Sequence, residues 1–292
     1  MSGLRGRYLT RYSGSLFSSG PLRKVPQNGK ERIRIFMQQS TLVRLKENLA
    51  LKNPIMVVGL PGVGLVGKLV AEHLVDELEA EKIMEVYSPH FPPQVLVNKD
   101  CTVRPVSNTI YHGRAKDTDI IFLVGDHQST TAQGHYELCS LYLDIAEELK
   151  ILRIYTLGGY PTGKLTYEET VLGVANSTEL IEEIKKYGVE FRESEPSGGI
   201  VGASGLLVAF SGMRGIDAAC LMGMTPGYLM DPKSAQSLLR VLCGIFGIEV
   251  NTDSLKKKAE EMENILEKLK EKEEQQNFPE VKPTEEDLRY IG

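Results

Sequence analysis

The sequence lacks the features that membrane, secreted and disulfide-stabilised proteins need. No stretch approaches the run of about 20 apolar residues that spans a bilayer. The N-terminus also lacks the charged-then-apolar plan of a secretory signal. Four cysteines, Cys101, Cys139, Cys220 and Cys243, stand far apart and form no Cys-x-x-Cys pair, which argues against a zinc knuckle or a disulfide framework. We therefore expect a cytoplasmic protein that makes no membrane contact.

Histidine is scarce and scattered. Of the five histidines, only His127 and His135 are near each other in sequence, and no His-Glu-x-x-His motif is present. A metal centre needs several ligands at suitable spacing. The sequence therefore predicts neither a metal site nor a cofactor.

Positive charge is concentrated at the N-terminus. The chain of 292 residues has a formal net charge of −5, yet residues 1–36 carry eight Lys or Arg against one Glu. Because neutralising phosphates requires clustered cations, the acidic remainder disfavours nucleic acid as a partner. Residues 1–36 are rich in Ser and Gly around 10–20 and show no clean period, so we predict a disordered basic arm.

The remaining chain alternates between strand-like and helix-like patterns. With 41% hydrophobic and 25% charged residues, its composition is that of a globular protein with a sizeable core. Alternation of this kind favours right-handed crossovers onto a mostly parallel sheet with helices on both faces. We predict a three-layer α/β/α body at 37–250, with 94–98 and 102–112 as a hairpin or edge insertion. The predicted strands are 55–60, 82–88, 119–125, 152–159, 170–177 and 216–223, and the predicted helices are 41–50, 65–80, 134–150, 178–188 and 231–247.

The C-terminal part has a different character from the body. Residues 251–276 are predicted to form a charged amphipathic helix, and 277–292 a flexible, acidic, proline-punctuated tail. The helix carries apolar residues at steps of 4 and 3, an a/d seam about two heptads long. Such a narrow stripe either packs back on the body or meets a second copy of the chain. The seam residues are Leu255, Met262, Leu266 and Leu269, with Ala259 between them.

A glycine-rich loop follows the first predicted strand of the body. Gly62, Gly64 and Gly67 match the Gly-x-Gly-x-x-Gly pattern of dinucleotide sites, but the acid expected at the end of the second strand is missing. The loop also nearly matches the phosphate-binding loop motif, in which four residues separate Gly62 from Gly67 and Lys68 follows. However, Leu69 occupies the position at which that motif has the Ser or Thr that binds magnesium. We favour a tight turn at which backbone and helix approach closely. A nucleotide- or nucleoside-binding enzyme remains the alternative.

A polar loop at 125–137 follows a predicted buried strand, where open α/β sheets place ligand sites. Asp126, His127 and Ser129 are of the residue types that form a catalytic set. We favour the simpler interpretation, in which the polar residues of this loop cap the next helix. Lys164, in the loop after the next strand, is a lone cation. We therefore predict no catalytic residues.

Several stretches, taken together and in this order, resemble the archaeal proteasome-assembly-chaperone family. They are 56-MVVGLPGVGLVG-67, 125-GDHQSTT-131 with Tyr136-Glu137, 154-IYTLGGYPTGK-164 and 223-GMTPGYLMDPKSA-235. The resemblance implies a body similar to nucleoside phosphorylases but without their catalytic residues. It also implies a non-enzymatic chaperone that forms homo-oligomers and binds 20S proteasome α-subunits or assembly intermediates.

Proteins similar to this often end in a flexible tail with a hydrophobic residue, a tyrosine and then any residue, and this tail enters pockets between α-subunits. Here the corresponding partner-binding residues are Leu288, Tyr290, Ile291 and Gly292. The tail departs from the pattern, because Tyr290 is third from the end and Arg289 stands where the hydrophobic residue should be. The resemblance thus leaves two routes open: the tail docks out of register, or a related partner chaperone supplies that function.

Overall fold

The computed structural model describes residues 8–11, 40–46, 49–163, 168–227 and 230–262. Ten of the strands in this part of the chain join one sheet, and two form a separate hairpin. The strands are β1 (Tyr8–Arg11), β2 (Thr41–Arg44), β3 (Ile55–Gly59), β4 (Glu81–Tyr87), β5 (Val95–Val97), β6 (Val103–Pro105), β7 (Asn108–Ala115), β8 (Thr118–Gly125), β9 (Arg153–Pro161), β10 (Val171–Ala175), β11 (Val189–Glu190) and β12 (Asp217–Thr225).

Helices connect most of the central strands. The helices are α1 (Val66–Glu77), α2 (Ala132–Glu148), α3 (Thr178–Ile184), α4 (Ala203–Met213), α5 (Pro232–Phe246) and α6 (residues 253–262). A short 3-10 turn at Val63–Leu65 precedes α1, and a second at Lys185–Tyr187 follows α3.

The main sheet has the strand order β1-β2-β4-β7-β8-β3-β9-β12-β10-β11. Its four central strands, β8, β3, β9 and β12, run parallel. Antiparallel pairs extend the sheet on one flank from β8 to β1, and on the other flank β10 pairs antiparallel with β12. The predicted α/β class, with a mostly parallel central sheet, is confirmed.

The central strands are buried on both faces, which explains why their sequences read as continuous apolar runs. Along β3, the side chains of Met56 and Val58 join a core beneath α2 and α4, and that of Val57 joins a second core beneath α1 and α5. Successive side chains of a strand point to opposite faces, so one short run supplies both cores. The arrangement is a helix–sheet–helix sandwich.

Two of the predicted helices begin at side-chain caps that the sequence makes visible. Thr131 accepts a hydrogen bond from the backbone N–H of Gly134 at the start of α2. Asp231 accepts one from the backbone N–H of Ser234 at the start of α5, with Pro232 in the first turn. These side chains satisfy N–H groups that have no partner within the helix.

The helix predicted at 41–50 is wrong. Thr41–Arg44 forms β2, which pairs antiparallel with β4, and Leu45 N donates to the Ile83 carbonyl. Leu42 and Val43 are both buried in this strand. The apolar spacing suited a helix, but the edge of β4 offers unpaired backbone groups, and tertiary pairing outweighs local propensity.

The N-terminal segment contains one element that sequence reasoning missed. Within residues 1–36, Tyr8–Arg11 forms β1 and pairs antiparallel with β2, so these four residues are not part of a disordered arm. The other residues of that segment lie outside the described ranges. Strand pairing between distant segments leaves little trace in local periodicity, which is why the strand was not predicted.

The structure describes the beginning of the charged C-terminal helix, α6. Leu255 and Ala259 are buried, and Leu255 belongs to the core beneath α1 and α5. His73 of α1 fixes this segment, since its Nε2 lies 2.7 Å from the Asn251 carbonyl oxygen and its Nδ1 lies 3.2 Å from Ser254 Oγ. Leu255 therefore packs within its own chain. Among the described helices, none is both long and apolar enough to cross a membrane.

A buried carboxylate ties β7 and β8 together at the end of the sheet opposite to the loops discussed below. The Asp119 side chain is inaccessible to solvent. It accepts hydrogen bonds from Arg114 Nε at 3.0 Å and the Lys52 backbone N–H at 2.5 Å, and it lies 2.9 Å from His112 Nε2. Burial alone raises the pKa of this carboxyl, but the hydrogen bonds outweigh it and lower the pKa to about 2.

We expect Asp119→Asn to lower the free energy of unfolding by about 2.5 kcal/mol near neutral pH. Because the folded-state pKa lies below the unfolded value, the stabilisation is complete above the unfolded pKa and is lost as the pH falls through about 2. Urea unfolding across that range should show the wild type converging on the variant as the pH falls. A difference between the two proteins that stays constant with pH would contradict this account.

Candidate functional site

Four sequence motifs that are far apart along the chain converge at one edge of the sheet. Since β3, β8, β9 and β12 are parallel, the loops that follow them meet at the carboxyl edge. These loops contain the glycine-rich turn, the polar segment after β8, and the segments that begin at 162 and 226. Open α/β sheets bind their ligands at this edge, so a ligand-binding or catalytic site is expected here.

The glycine-rich loop is packed against its neighbours. Gly64 has φ 62°, and Leu65 follows it with φ 51°. The Gly64 carbonyl accepts a hydrogen bond from the Asp231 backbone N–H at 2.8 Å. A Cβ at Gly64 would lie 2.9 Å from Thr225 Oγ1. The loop is thus held by the ends of β12 and by the start of α5, and its glycine conformation serves the turn.

Helix α1 rests directly on the backbone of β9. A Cβ at Gly67 would lie 2.3 Å from the carbonyl oxygen of Leu157, which real Cβ atoms do not approach. Likewise, a Cβ at Gly59 would lie 2.2 Å from that of Ala71. Gly67, the last glycine of the Gly-x-Gly-x-x-Gly pattern, and Gly59, at the end of β3, therefore permit close packing of helix on sheet.

Lys68, the cation of the near phosphate loop, points away from the turn. Its Nζ donates to the Gly125 carbonyl at 2.9 Å and lies 3.4 Å from Glu72 Oε1. Leu69, which occupies the position of a magnesium-binding hydroxyl, is buried in the core. Neither residue is arranged as a nucleotide phosphate loop requires.

Among the described residues, side chains fill the space between the loop after β3, the loop after β8 and the start of α4. Gln128 bridges two loops, because its Nε2 donates to the Pro61 carbonyl at 2.7 Å and its Oε1 accepts from the Ala203 N–H at 2.9 Å. Beneath it, the side-chain amide of Asn108 hydrogen-bonds the Tyr142 hydroxyl at 2.6 Å. The space left among these residues is about 10 Å³, roughly the size that holds one water.

The three polar residues after β8 do not form a catalytic set. Asp126 makes a bidentate ion pair with Arg104 at 2.6 and 2.9 Å, and it also accepts from the Ser107 N–H. Partial burial raises the pKa of the Asp126 carboxyl, but these hydrogen bonds hold it below its usual value. His127 Nε2 lies 2.6 Å from the side chain of Gln94, and Ser129 Oγ donates to the Thr131 carbonyl. Each residue is engaged separately.

A different cluster forms around His90, which sequence reasoning missed. Its Nδ1 lies 2.9 Å from Thr131 Oγ1 and its Nε2 lies 3.1 Å from Glu137 Oε2. Ser40 donates to the other oxygen of Glu137 at 2.7 Å. Burial raises the pKa of the Glu137 carboxyl, but the hydrogen bonds from Ser40 and His90 lower it overall. The contributing residues are widely separated in sequence, so spacing gave no signal.

The cluster around His90 has the order hydroxyl, imidazole, carboxylate that nucleophilic catalysis uses. Here, however, the Thr131 hydroxyl is the cap of α2 and accepts from the Gly134 N–H at 3.0 Å. A Cβ at Gly134 would lie only 2.3 Å from that of His90. The first turn of α2 therefore sits against the imidazole, and the cluster joins β2, α2 and the loop after β4.

The motif at 226–232 is also structural where it is described. Asp231 is buried and caps α5, and the Ser234 hydroxyl lies 2.6 Å from Asp231 Oδ2. Tyr228, Leu229 and Lys164 lie outside the described residues. The motif thus links the glycine-rich turn to α5 through the bond from Asp231 to Gly64.

Comparison with known proteins accounts for these structural motifs. The model of the PAC2 family matches residues 56–270, which include the glycine-rich turn, the polar loop and the capping motif of α5. The chain belongs to the PAC2 family. Over 260 residues, this PAC2 chain is also 41% identical to the uncharacterized protein MJ1210 of Methanocaldococcus jannaschii, covering 88% of the chain and all of that protein.

Two solved structures from Pyrococcus furiosus resemble the PAC2 chain closely. PbaB, described as an archaeal proteasome activator, is 38% identical, with a TM-score of 0.75 over 80% of this chain and all of its own. PbaA, described as an archaeal homolog of proteasome-assembly chaperone, is 28% identical, with a TM-score of 0.67 over 82% of this chain and 94% of its own. The predicted resemblance to archaeal proteasome-assembly chaperones is confirmed.

The partner-binding residues predicted from the tail of the PAC2 chain lie outside the described residues. These are Leu288, Tyr290, Ile291 and Gly292. The seam residues Leu266 and Leu269 of the predicted charged helix also lie outside the described residues. Met262, at the end of the described part of α6, is half-buried. Their roles remain predictions.

We expect Gly67→Ala to lower the free energy of unfolding of the PAC2 chain by about 2–3 kcal/mol, because the added methyl group meets a backbone carbonyl that cannot move alone. Gly158→Ala is the matched control in the neighbouring strand, since its Cβ would lie an ordinary 3.7 Å from Met222 Cγ. Thermal and urea unfolding should separate the two variants clearly. Equal stabilities would show that α1 does not depend on this close approach.

Proposed function

We propose that this PAC2 protein is a non-enzymatic chaperone of 20S proteasome assembly, which binds α-subunits or assembly intermediates and associates with copies of itself. The observation that carries the proposal is the joint similarity, over most of the chain, to PbaB and PbaA. Both are described by their relation to the archaeal proteasome. An archaeal source and a cytoplasmic location fit the same proposal.

The geometry of the carboxyl edge supports a role without catalysis. Gln128 and the Asn108–Tyr142 pair occupy the position at which related sheet architectures hold a substrate. Gly67 packs against the Leu157 backbone, Gly64 packs against the Thr225 side chain, and Lys68 donates to the Gly125 carbonyl. The polar and glycine residues of these loops therefore hold the fold together.

The tail at 277–292 is the proposed contact with α-subunits. Its prolines favour an extended linker, so a terminal anchor keeps its reach after α6. If several copies associate, each contributes one anchor, and simultaneous docking raises the overall affinity through effective concentration. A single buried Tyr or Leu contributes roughly 1–3 kcal/mol at such a pocket. A related partner chaperone supplying the anchor is the alternative route.

Activation of the mature proteasome is the second candidate function. The description of PbaB as a proteasome activator favours it, and PbaB is the more similar of the two Pyrococcus proteins by both identity and TM-score. The two functions differ in their target: an assembly chaperone acts on free α-subunits, and an activator raises peptide hydrolysis by the assembled 20S particle. One preparation of the protein can be assayed for both.

A nucleotide- or nucleoside-binding enzyme is the alternative that the glycine-rich loop left open. Such an enzyme needs an accessible loop at the start of α1 to bind the phosphates or the nucleoside. Here that loop is hydrogen-bonded to Asp231, and α1 packs closely against β9. A specific ligand at 100 times its dissociation constant would add about 2.7 kcal/mol of stability. A thermal-shift panel of nucleosides, nucleotides and dinucleotides that raises the melting temperature would revive this alternative.

We expect the full-length protein to capture proteasome α-subunits in a pull-down, and a chain ending before residue 277 to capture much less. Tyr290→Ala should weaken capture as well, since it removes the proposed anchor, whereas Thr284→Ala in the same tail is the matched control. No capture by any form would reject the chaperone proposal. Equal capture by the full and shortened chains would reject only the role of the tail.

We expect Met262→Glu to give a smaller particle by size-exclusion chromatography with light scattering. The substitution puts a carboxylate into the apolar seam of α6, where burial against a second copy would be costly. Lys257→Glu, at an exposed position on the side of the same helix away from the seam, is the control and should leave the mass unchanged. A Met262→Glu particle of wild-type mass would show that α6 packs only within its own chain or that the body assembles without it.

A further inference from the structure

A polar cavity of about 300 Å³ lies beside the first turns of α1 and the carboxyl end of β8. Its walls come from the first turns of α1, the face of β4 and β7 that looks toward α1, and the end of β8. Its volume falls at the lower end of the range of about 300–1,000 Å³ typical of small-molecule sites. A ligand of this cavity is therefore small.

Three ion pairs line the cavity, and their charges balance. The pairs are Lys68–Glu72 at 3.4 Å, Lys82–Glu85 at 2.9 Å and Arg104–Asp126 at 2.6 Å. Each pair places a cation and a carboxylate side by side at the wall. Their side chains are partly exposed, which leaves ammonium, guanidinium and carboxylate groups able to accept a further partner.

Two nearly buried hydroxyl groups add hydrogen-bonding capacity. Ser107 and Thr109 line the same cavity and are only 7% and 9% exposed. A hydroxyl at such a wall can both donate and accept a hydrogen bond, so these two side chains suit a polar ligand. The Tyr111 ring stands on the same face and supplies apolar surface beside them.

We propose that this cavity binds a small zwitterion, an α-amino acid with a short polar side chain. Such a molecule carries an ammonium and a carboxylate on one α-carbon, so it can pair with the cation and the carboxylate of one wall ion pair at the same time. Charge-assisted hydrogen bonds of this kind are about twice as strong as neutral ones. The Ser107 and Thr109 hydroxyls then serve the polar side chain or the carboxylate.

The balance of charge argues against an anionic ligand such as a phosphate ester. Every cation of the wall has a carboxylate within 3.4 Å, and that carboxylate would repel a phosphate group. A ligand with no net charge avoids this cost, because like charges brought together in a binding site are penalised by several kcal/mol. A neutral sugar lacks the charges that would engage the ion pairs, and it is a control in the experiment.

The test is isothermal titration of the full-length protein with glycine, L-serine and L-glutamine. We expect binding by at least one of them, and at least roughly tenfold weaker binding when either charge of that amino acid is removed as its N-acetyl derivative or its methyl ester. Thr109→Val, which keeps the shape of the side chain and removes its hydroxyl, should weaken binding roughly threefold to tenfold. Thr118→Val, at the opposite end of the adjacent strand, should leave the affinity unchanged.

Other outcomes would overturn the proposal. No heat from any of the three amino acids at millimolar concentration would show that the cavity is not a zwitterion site. Equal binding of the amino acid and both blocked derivatives, or binding of inorganic phosphate or glucose in their place, would assign a different chemistry. Binding that Thr109→Val leaves untouched would place the site elsewhere on the protein.

Discussion

The contact between α1 and the central sheet is the constraint on which the rest of the structure depends. At Gly67 the helix backbone lies so close to the Leu157 carbonyl that no side chain fits between them. This approach sets the position of the glycine-rich turn, which in turn accepts the Asp231 N–H and so fixes the start of α5. The Gly67–Leu157 approach and the Asp231–Gly64 hydrogen bond together join α1, α5 and β9 around the glycine-rich turn.

The same constraint decides how the carboxyl edge is used. A helix N-terminus free of neighbours is a natural anion site, but this one is covered by the loop from β12 and by the polar bridge of Gln128. The loops that carry substrates in many open α/β sheets instead hold each other. A carboxyl edge that holds the fold agrees with the similarity of the chain to PbaB and PbaA, which are described by their relation to the archaeal proteasome.

The charged residues of the molecule divide into two kinds of environment. Asp119 and Glu137 accept several hydrogen bonds in buried or half-buried positions, and both have a lowered pKa because those bonds favour the ionised form. They tie edge strands and loops to the body. The ion pairs beside α1 instead face an open cavity, which Ser107 and Thr109 also line. Carboxylates enclosed by their hydrogen-bond partners hold the fold, whereas ion pairs at a cavity wall keep one side open to a ligand.

Local patterns in the sequence determined the elements whose signals are short in range. Continuous apolar runs identified the buried parallel strands, and Thr131, Asp231 and Pro232 marked helix starts, because caps and periodicity act within one or two turns. The joint order of the motifs also indicated the family. Edge strands β1 and β2 could not be obtained in this way, since their stability comes from pairing with distant segments.

Only the tertiary structure decided what the polar and glycine residues do. Asp126, His127 and Ser129 are neighbours in sequence, yet their partners differ. His90 is more than 40 residues from Thr131 and Glu137 in sequence, yet it meets both in one cluster. The glycines fit a nucleotide motif and a close-packing motif equally well in sequence. The two motifs differ in what a Cβ atom at the glycine would meet: protein atoms such as the Leu157 carbonyl in a close-packing motif, and open space for a ligand in a nucleotide motif. The position of those atoms depends on the packing of the whole sheet rather than on the loop.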